Sequence, residues 1–106
     1  MKKAYTIIFS HIFINDLNHY VEIIGNTLHA PVAAQVLKDE IDAAILEIKK
    51  KPLEYPIVKD KYLAALGFRY SQAAKNCMIF FIVEGKVIKI LRFLDKEAAA
   101  GKTVRL

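Results

Sequence analysis

Cysteine is almost absent from this chain of 106 residues, in which Cys77 is the only one. A single cysteine cannot form an internal disulfide, which excludes the small disulfide-rich scaffolds and favours a reducing cytosol. No apolar run is long enough to span a bilayer, so we expect no membrane partner. The start, Met1 to Phe9, resembles a signal peptide, but polar residues from Ser10 to Asp16 interrupt it and no small-residue cleavage site follows. The sequence therefore predicts a cytoplasmic protein.

The motifs of several enzyme classes are also missing. There is no glycine-rich phosphate loop and no paired-carboxylate signature. His11, His19 and His29 are scattered along the first predicted helix, whereas metal ligands must converge on one point. We therefore expect no metal site and no cofactor.

Composition and charge favour one folded domain over residues 1–106. Hydrophobic residues make up 55% of the chain, and no low-complexity tract occurs. The chain has 16 lysines and arginines against 11 acids, a net charge of +5. This excess favours an acidic partner such as nucleic acid, the ribosome or an acidic protein segment, and an ordinary basic surface is the alternative.

Aromatic and β-branched residues dominate the stretch from Leu66 to Leu94. They predict an antiparallel meander of three strands, at residues 68–74, 77–83 and 86–94. The turn signals are Lys75-Asn76 and Glu84-Gly85, because Asn and Gly tolerate the positive φ of tight hairpins.

Two-residue turns would place Ala74 opposite Cys77 and Val83 opposite Lys86, which assigns every side chain to a face. The predicted core face carries Phe68, Tyr70, Cys77, Ile79, Phe81, Val83, Ile88, Ile90 and Leu94, with Arg92 near its end. The predicted exposed face carries Arg69, Ser71, Met78, Phe80, Ile82, Val87, Lys89, Leu91 and Phe93.

The N-terminal half predicts one strand, Ala4 to Phe9, and two helices. Ser10 is an N-cap residue for a first helix that runs to about His29. Pro31 suits the first turn of a second helix, which three lysines and Pro52 end. The short linkage predicts an αα-hairpin. Residues 52–66 are predicted as a loop, and residues 95–106 as a tail whose alanines favour a short helix.

The order β-α-α-β-β-β, with these residues, resembles the RelE/ParE superfamily of bacterial toxins. The resemblance covers nearly the whole chain and is strongest in Gly67-Phe68-Arg69, in Lys75-Asn76 before Ile79-Phe80-Phe81, and in Ile88 to Leu94. It implies an α+β fold, a twisted antiparallel sheet with an αα-hairpin packed on one face. It also implies the toxin of a type II toxin–antitoxin module of the plasmid-stabilisation kind: a cytoplasmic growth inhibitor neutralised by a cognate antitoxin.

The resemblance implies two alternative activities, because one branch of the family cleaves mRNA on the ribosome and another poisons DNA gyrase. Nuclease members place an arginine where this chain has Met78, and a histidine or tyrosine with arginines where it has Asp95, Lys96 and Glu97. RNA cleavage requires a base, an acid and cations over the phosphate. We therefore favour a ParE-like inhibitor that acts by binding. A RelE-like mRNA endoribonuclease and a toxin that has lost its activity are the alternatives, so enzymatic activity stays an open question.

Basic residues on the predicted exposed face are the candidates for chemistry. Arg69, Ser71 and Lys89 are candidates to bind a phosphate or the target. Arg69 and Lys96 are the remaining catalytic candidates.

Apolar residues on the same face, Phe80, Leu91 and Phe93, are the expected antitoxin contacts, because an exposed apolar patch needs a partner to cover it. Arg92 interrupts an apolar strand, and a half-buried arginine needs an anionic partner. Asp16 on the first helix supplies one, so we expect a structural role for Arg92 and Asp16. A homodimer is a further association to consider.

Overall fold

A computed structural model of the chain describes residues 4–27, 29–74 and 76–95. The predicted α+β fold and order of elements are confirmed. The elements are β1 (Thr6–Phe9), α1 (His11–Glu22) continued by a π-helical turn (Ile23–Thr27), α2 (Pro31–Lys50), a 3-10 turn (Pro52–Glu54), α3 (Lys61–Ala65), β2 (Arg69–Ala73), β3 (Cys77–Glu84) and β4 (Val87–Asp95). The loop predicted at 52–66 therefore contains a short helix. A short helix was also predicted in the tail, residues 95–106. Residues 96–106 lie outside the described residues. None of the described helices is both long and apolar enough to cross a bilayer.

The four strands form one mixed sheet in the order β1-β4-β3-β2. The meander β2-β3-β4 is antiparallel, as predicted. The edge strand β1 runs parallel to β4, with Ile7 beside Ile88, so the sheet is not antiparallel throughout. No tight turn joins β1 to β4, since α1, α2, α3 and the other two strands separate them along the chain, and a long connection permits parallel pairing.

Both hairpins differ from the predicted register. Ala73, not Ala74, lies opposite Cys77, and Ala74 takes a positive φ of 52° in the connection. This shift of one residue moves every side chain of β2 to the other face of the sheet. Glu84 lies opposite Val87, so Gly85-Lys86 forms the second turn; here the register differs by two residues, which leaves the faces unchanged.

A β-bulge in β4 changes the predicted faces a second time. Phe80 lies beside Arg92 but Phe81 lies beside Ile90, so Leu91 is the extra residue. An inserted residue reverses the alternation of side chains beyond it. Phe93 therefore points to the same side as Ile90 and is only 2% exposed, whereas Leu94 packs on the opposite side. The prediction that exposed Phe93 and buried Leu94 in the core is wrong for this reason.

Helices α1 and α2 pack on one side of the sheet, which we call the helix-covered face. The core there contains Phe13 of α1, residues 37, 41 and 48 of α2, and from the sheet Ala73, Cys77, Ile79, Phe81, Ile88, Ile90 and Phe93. The opposite side, which we call the open face, carries a smaller cluster. Val58 and Leu63 cover Phe68 and Phe80 there. Phe68 was predicted on the same face of the sheet as Cys77, and the register shift of β2 explains why it lies on the open face.

Gly85 provides a test of the second turn. Its φ is 62°, and no atom lies within 4 Å of the position that a Cβ would take, so a side chain there costs only backbone strain. We expect Gly85→Val to lower the free energy of unfolding by about 1–2 kcal/mol. Gly85→Asn should lose less, because Asn tolerates the left-handed region. Urea unfolding of the two variants measures the difference, and equal losses would contradict it.

Candidate functional site

The open face presents a mostly apolar surface beside the cluster that α3 covers. Ile8 of β1 is 50% exposed, and Met78, Ile82, Leu91 and Leu94 are half-buried. These side chains share one side of three adjacent strands because β1, β4 and β3 pair in register across it. An apolar surface of this kind on a small protein is characteristic of an interaction site.

Lys89 is the basic residue at the middle of this surface. It lies between Ile8 and Ile82 in neighbouring strands and forms an ion pair with Glu84. Their side chains are 42% and 59% exposed, so the pair is solvated and contributes little stability. Lys89 can therefore exchange Glu84 for an anionic group of a partner.

Arg69 and Ser71 do not join Lys89. Both lie on the side of β2 that faces the helices, opposite Phe81 and Ile79, and Ser71 is only 5% exposed. The predicted grouping of the three residues into one exposed phosphate site is therefore wrong, because the β2 register is shifted by one residue.

The Arg69 guanidinium holds the loop that protects the edge of the sheet. Its Nη1 donates to the carbonyl oxygen of Tyr55 at 2.6 Å and to that of Leu53 at 3.4 Å. Ile57 bridges to Arg69, and the Tyr70 N–H donates to the Pro56 carbonyl. The loop thus satisfies the backbone of the β2 edge, and Arg69 has a structural contact where the sequence suggested a catalytic one.

The predicted antitoxin contacts are only partly exposed. Phe80 is 4% exposed beneath α3, and Phe93 is 2% exposed in the core behind the sheet. The prediction that these residues form an exposed patch is therefore wrong for Phe80 and Phe93. Leu91 alone reaches the open surface, as the extra residue of the bulge.

Arg92 and Asp16 meet as the sequence suggested. Arg92 Nε donates to Asp16 Oδ2 at 2.7 Å, and Nη2 donates to Oδ1 at 3.1 Å. The two side chains are only 19% and 18% exposed. A bidentate arginine–carboxylate contact in such partial burial is stronger and more directional than a surface ion pair.

Asp16 also completes the sheet. Its Oδ2 accepts the backbone N–H of Phe93 at 3.1 Å, at a point where β1 has already ended. Ser10 acts similarly six residues earlier: its Oγ donates to the Leu91 carbonyl and accepts the Phe13 N–H, as the N-cap of α1. The start of α1 therefore replaces the missing strand beside β4.

Groups that could transfer protons lie behind the sheet. Burial raises the pKa of the Cys77 thiol, and burial also raises the pKa of Tyr20, whose hydroxyl is hydrogen-bonded to Cys77. Both line a cleft of about 350 Å³ between α2 and the β2–β3 connection, with Glu40 among its lining residues. Both groups are therefore protonated near neutral pH and lie on the opposite side of the sheet from Lys89.

Other proton-transfer and metal-binding candidates are dispersed. Asp95 lies opposite Cys77 at the end of β4, and Lys96 is outside the described residues. His11, His19 and His29 are all exposed. Within the described ranges, no three side chains of His, Cys, Asp or Glu lie close enough to hold a metal ion.

No family model matches the sequence, and no curated protein matches it either. Solved structures do match. The chain is 17% identical to a chain of the chromosomal ParDE toxin–antitoxin system of P. aeruginosa, with a TM-score of 0.72, over 89% of this chain and 98% of that one. It is 16% identical to a chain of the RelBE2 toxin–antitoxin complex of Mycobacterium tuberculosis (TM-score 0.60, coverage 87% and 98%). It is 10% identical to a chain of the E. coli DinJ-YafQ complex (TM-score 0.61, coverage 92% and 99%). The likeness establishes the fold.

The contact between Arg92 and Asp16 predicts a large loss of stability on truncation. Arg92→Ala leaves the carboxylate of Asp16 half-buried without its guanidinium, and we expect a loss on the order of 2–4 kcal/mol. Lys89→Ala is the matched control, since it removes a basic residue of the same strand from a solvated ion pair and should cost at most about 0.5 kcal/mol. Thermal and urea unfolding of both variants measure the difference. Equal stability of Arg92→Ala and the parent chain would contradict the structural role.

Proposed function

We propose that this chain, which has the fold of the RelE/ParE toxins, is the toxin of a type II toxin–antitoxin pair. In this role it inhibits growth until a cognate antitoxin neutralises it. The observation that carries the proposal is the match over nearly the whole length of both chains to a protein of a ParDE system. The apolar open face supports it, because a protein that is neutralised by a partner needs a surface for that partner.

We infer further that the toxin acts by binding and not by cleaving RNA. Cleavage at neutral pH needs groups that take and give protons, each contributing roughly 10²–10⁴-fold. Met78 lies on the open face at the position where the nuclease pattern has an arginine, so no cation stands there. Arg69 is bound to two carbonyl oxygens on the other side, and the raised pKa of Cys77 leaves its thiol uncharged.

DNA gyrase is the favoured target, as the target of the ParE branch that the sequence resembles. A binding inhibitor needs complementary surface and charge, and it needs no proton-transfer pair. The open face offers both, since Lys89 sits within an apolar surface and its ion pair among the described residues is with the exposed Glu84.

The cognate antitoxin is proposed to cover the same face with an acidic amphipathic segment. Such a segment would bury Ile8, Leu91 and their apolar neighbours and place a carboxylate near Lys89. Neutralisation then follows from competition, because antitoxin and target need the same surface. We expect the neighbouring reading frame to encode this small acidic protein.

The antitoxin surface is tested by charge substitution. The double variant Ile8→Asp/Leu91→Asp puts two carboxylates into the apolar surface, and we expect co-purification with the antitoxin to fall at least about tenfold. Ile14→Asp is the control, because Ile14 is 42% exposed on α1, which packs on the helix-covered face. Circular dichroism verifies that each variant is folded. Retained binding by the double variant, or equal loss by the control, would place the antitoxin elsewhere.

The mode of action is tested on the two family targets. Induced alone in a bacterial host, the protein should slow growth, and purified protein should inhibit gyrase supercoiling. Inhibition should disappear when the protein is premixed with its antitoxin. Mapping mRNA 5′ ends on translating ribosomes should show no new cleavage. Cleavage within A-site codons would overturn the binding mode in favour of a nuclease, and the absence of both activities would indicate a toxin that has lost its function.

A further inference from the structure

The outward side of α2 carries a second apolar pattern, which the core does not use. Residues 34, 37, 41 and 48 are buried against the sheet. On the opposite side of the helix lies a line that we call the outer stripe, made of Val32, Val36, Asp39, Ala43, Leu46 and Lys50. Its intervals are four, three, four, three and four residues, the spacing at which one helix packs along another.

The apolar members of the outer stripe are well exposed. Val32 is 76%, Val36 49% and Leu46 60% exposed. Leu53, in the 3-10 turn that follows the non-helical Lys51, is another apolar residue near this end of the helix and is 58% exposed. A repeated apolar line on a helix of 20 residues, about 30 Å long, is unfavourable in water unless another surface covers it.

Charge along the stripe is arranged in two opposite halves. Asp39, with Asp42 on one flank and Glu40 on the other, makes the first half acidic. In the second half Lys49 and Lys50 outnumber Glu47, so that half is net basic. A helix with this arrangement is complementary to itself when the second copy runs in the opposite direction. Charge complementarity therefore indicates that a second copy of this chain covers the outer stripe.

We propose that two copies of the chain associate through the outer stripes of their α2 helices, which run antiparallel. The two-fold axis crosses the interface at the level of the helix between residues 44 and 45. Ala43 then lies opposite the partner's Leu46, and Asp39 lies opposite the partner's Lys50. Asp42 approaches the partner's Lys49 along one flank. Symmetry repeats each of these contacts, so the interface contains two copies of the apolar pair and two copies of each charge pair.

The present contacts of these charged groups do not prevent the pairing. Asp39 Oδ1 accepts a hydrogen bond from Gln35 Nε2 at 3.1 Å, and Lys50 Nζ lies 3.5 Å from Glu47. Both contacts are between exposed side chains within one helix, where such pairs contribute little stability. Asp39 and Lys50 can therefore turn to the partner at little cost.

The expected association is weak. One helix pair buries less than the roughly 800 Å² per partner of a standard stable interface. On the other flank, Glu40 and the partner's Glu47 repel each other. We expect a dissociation constant on the order of 10 μM. The outer stripe points away from the sheet, so the dimer leaves the open face of both copies free for another partner.

Sedimentation velocity on the full chain over a concentration series measures the dimer. The parent chain should pass from monomer to dimer, and Leu46→Lys should weaken the association at least about tenfold. Lys50→Asp should weaken it as well, by placing an acid opposite the partner's Asp39. Lys38→Asp is the matched control, because it makes the same change of charge in the same helix at a position outside the stripe.

Charge exchange makes the test specific for this geometry. Asp39→Lys alone should weaken the dimer, whereas Asp39→Lys with Lys50→Asp should restore it, since the pairs are exchanged and the net charge is unchanged. Circular dichroism shows that the variants are folded. A parent chain that stays monomeric at every concentration, a dimer that Leu46→Lys does not weaken, or a double charge exchange that restores nothing would each overturn the proposal.

Discussion

The carboxylate of Asp16 joins helix α1 to strand β4 of the sheet. It receives three hydrogen bonds from β4, two from the Arg92 side chain and one from the backbone of Phe93. They are needed because β1 has four residues and β4 has nine, so half of β4 has no strand on that side. Ser10 and Asp16 replace the missing strand with side-chain groups from the start of α1. This fixes α1 against the sheet, and the position of α1 in turn determines where α2 closes the core.

The bulge at Leu91 lies within the same stretch of β4. Because one residue is extra there, Phe93 enters the core behind the sheet while Leu91 remains on the open face. Arg92 remains within reach of α1, and a regular strand would have exchanged the sides of Arg92 and Phe93. The apolar surface proposed for the antitoxin therefore depends on the same backbone irregularity that forms the Arg92–Asp16 pair.

Sequence patterns located nearly every element, because strands and helices of this length have distinct apolar periods. The pairing of Arg92 with Asp16 was also foreseeable, since a charge inside an apolar strand requires a counter-charge. Three features had no comparable signal in the sequence.

The first is Ala74, which adopts a positive φ that alanine rarely takes. The first hairpin connection is therefore one residue longer than predicted, and Arg69, Ser71 and Phe68 lie on the other face from the predicted one. The bulge lies among apolar residues, so a shifted pattern looks the same as a regular one. α3 has only five residues, too few for a helical period, although Asp60 is a recognisable N-cap.

The distribution of titratable groups across the sheet explains why this fold is proposed here to bind and not to cleave. A single layer of strands separates the Cys77–Tyr20 pair from the open face, and burial raises both pKa values, so these groups stay protonated at neutral pH. The open face keeps the exposed Lys89–Glu84 ion pair and a set of apolar side chains, which together can recognise a partner. A cation at the position of Met78 would add charge beside these groups, yet the Cys77–Tyr20 pair would still lie on the other side of the sheet. The proposed binding mode rests on this separation of the thiol–hydroxyl pair from the surface that a partner can reach.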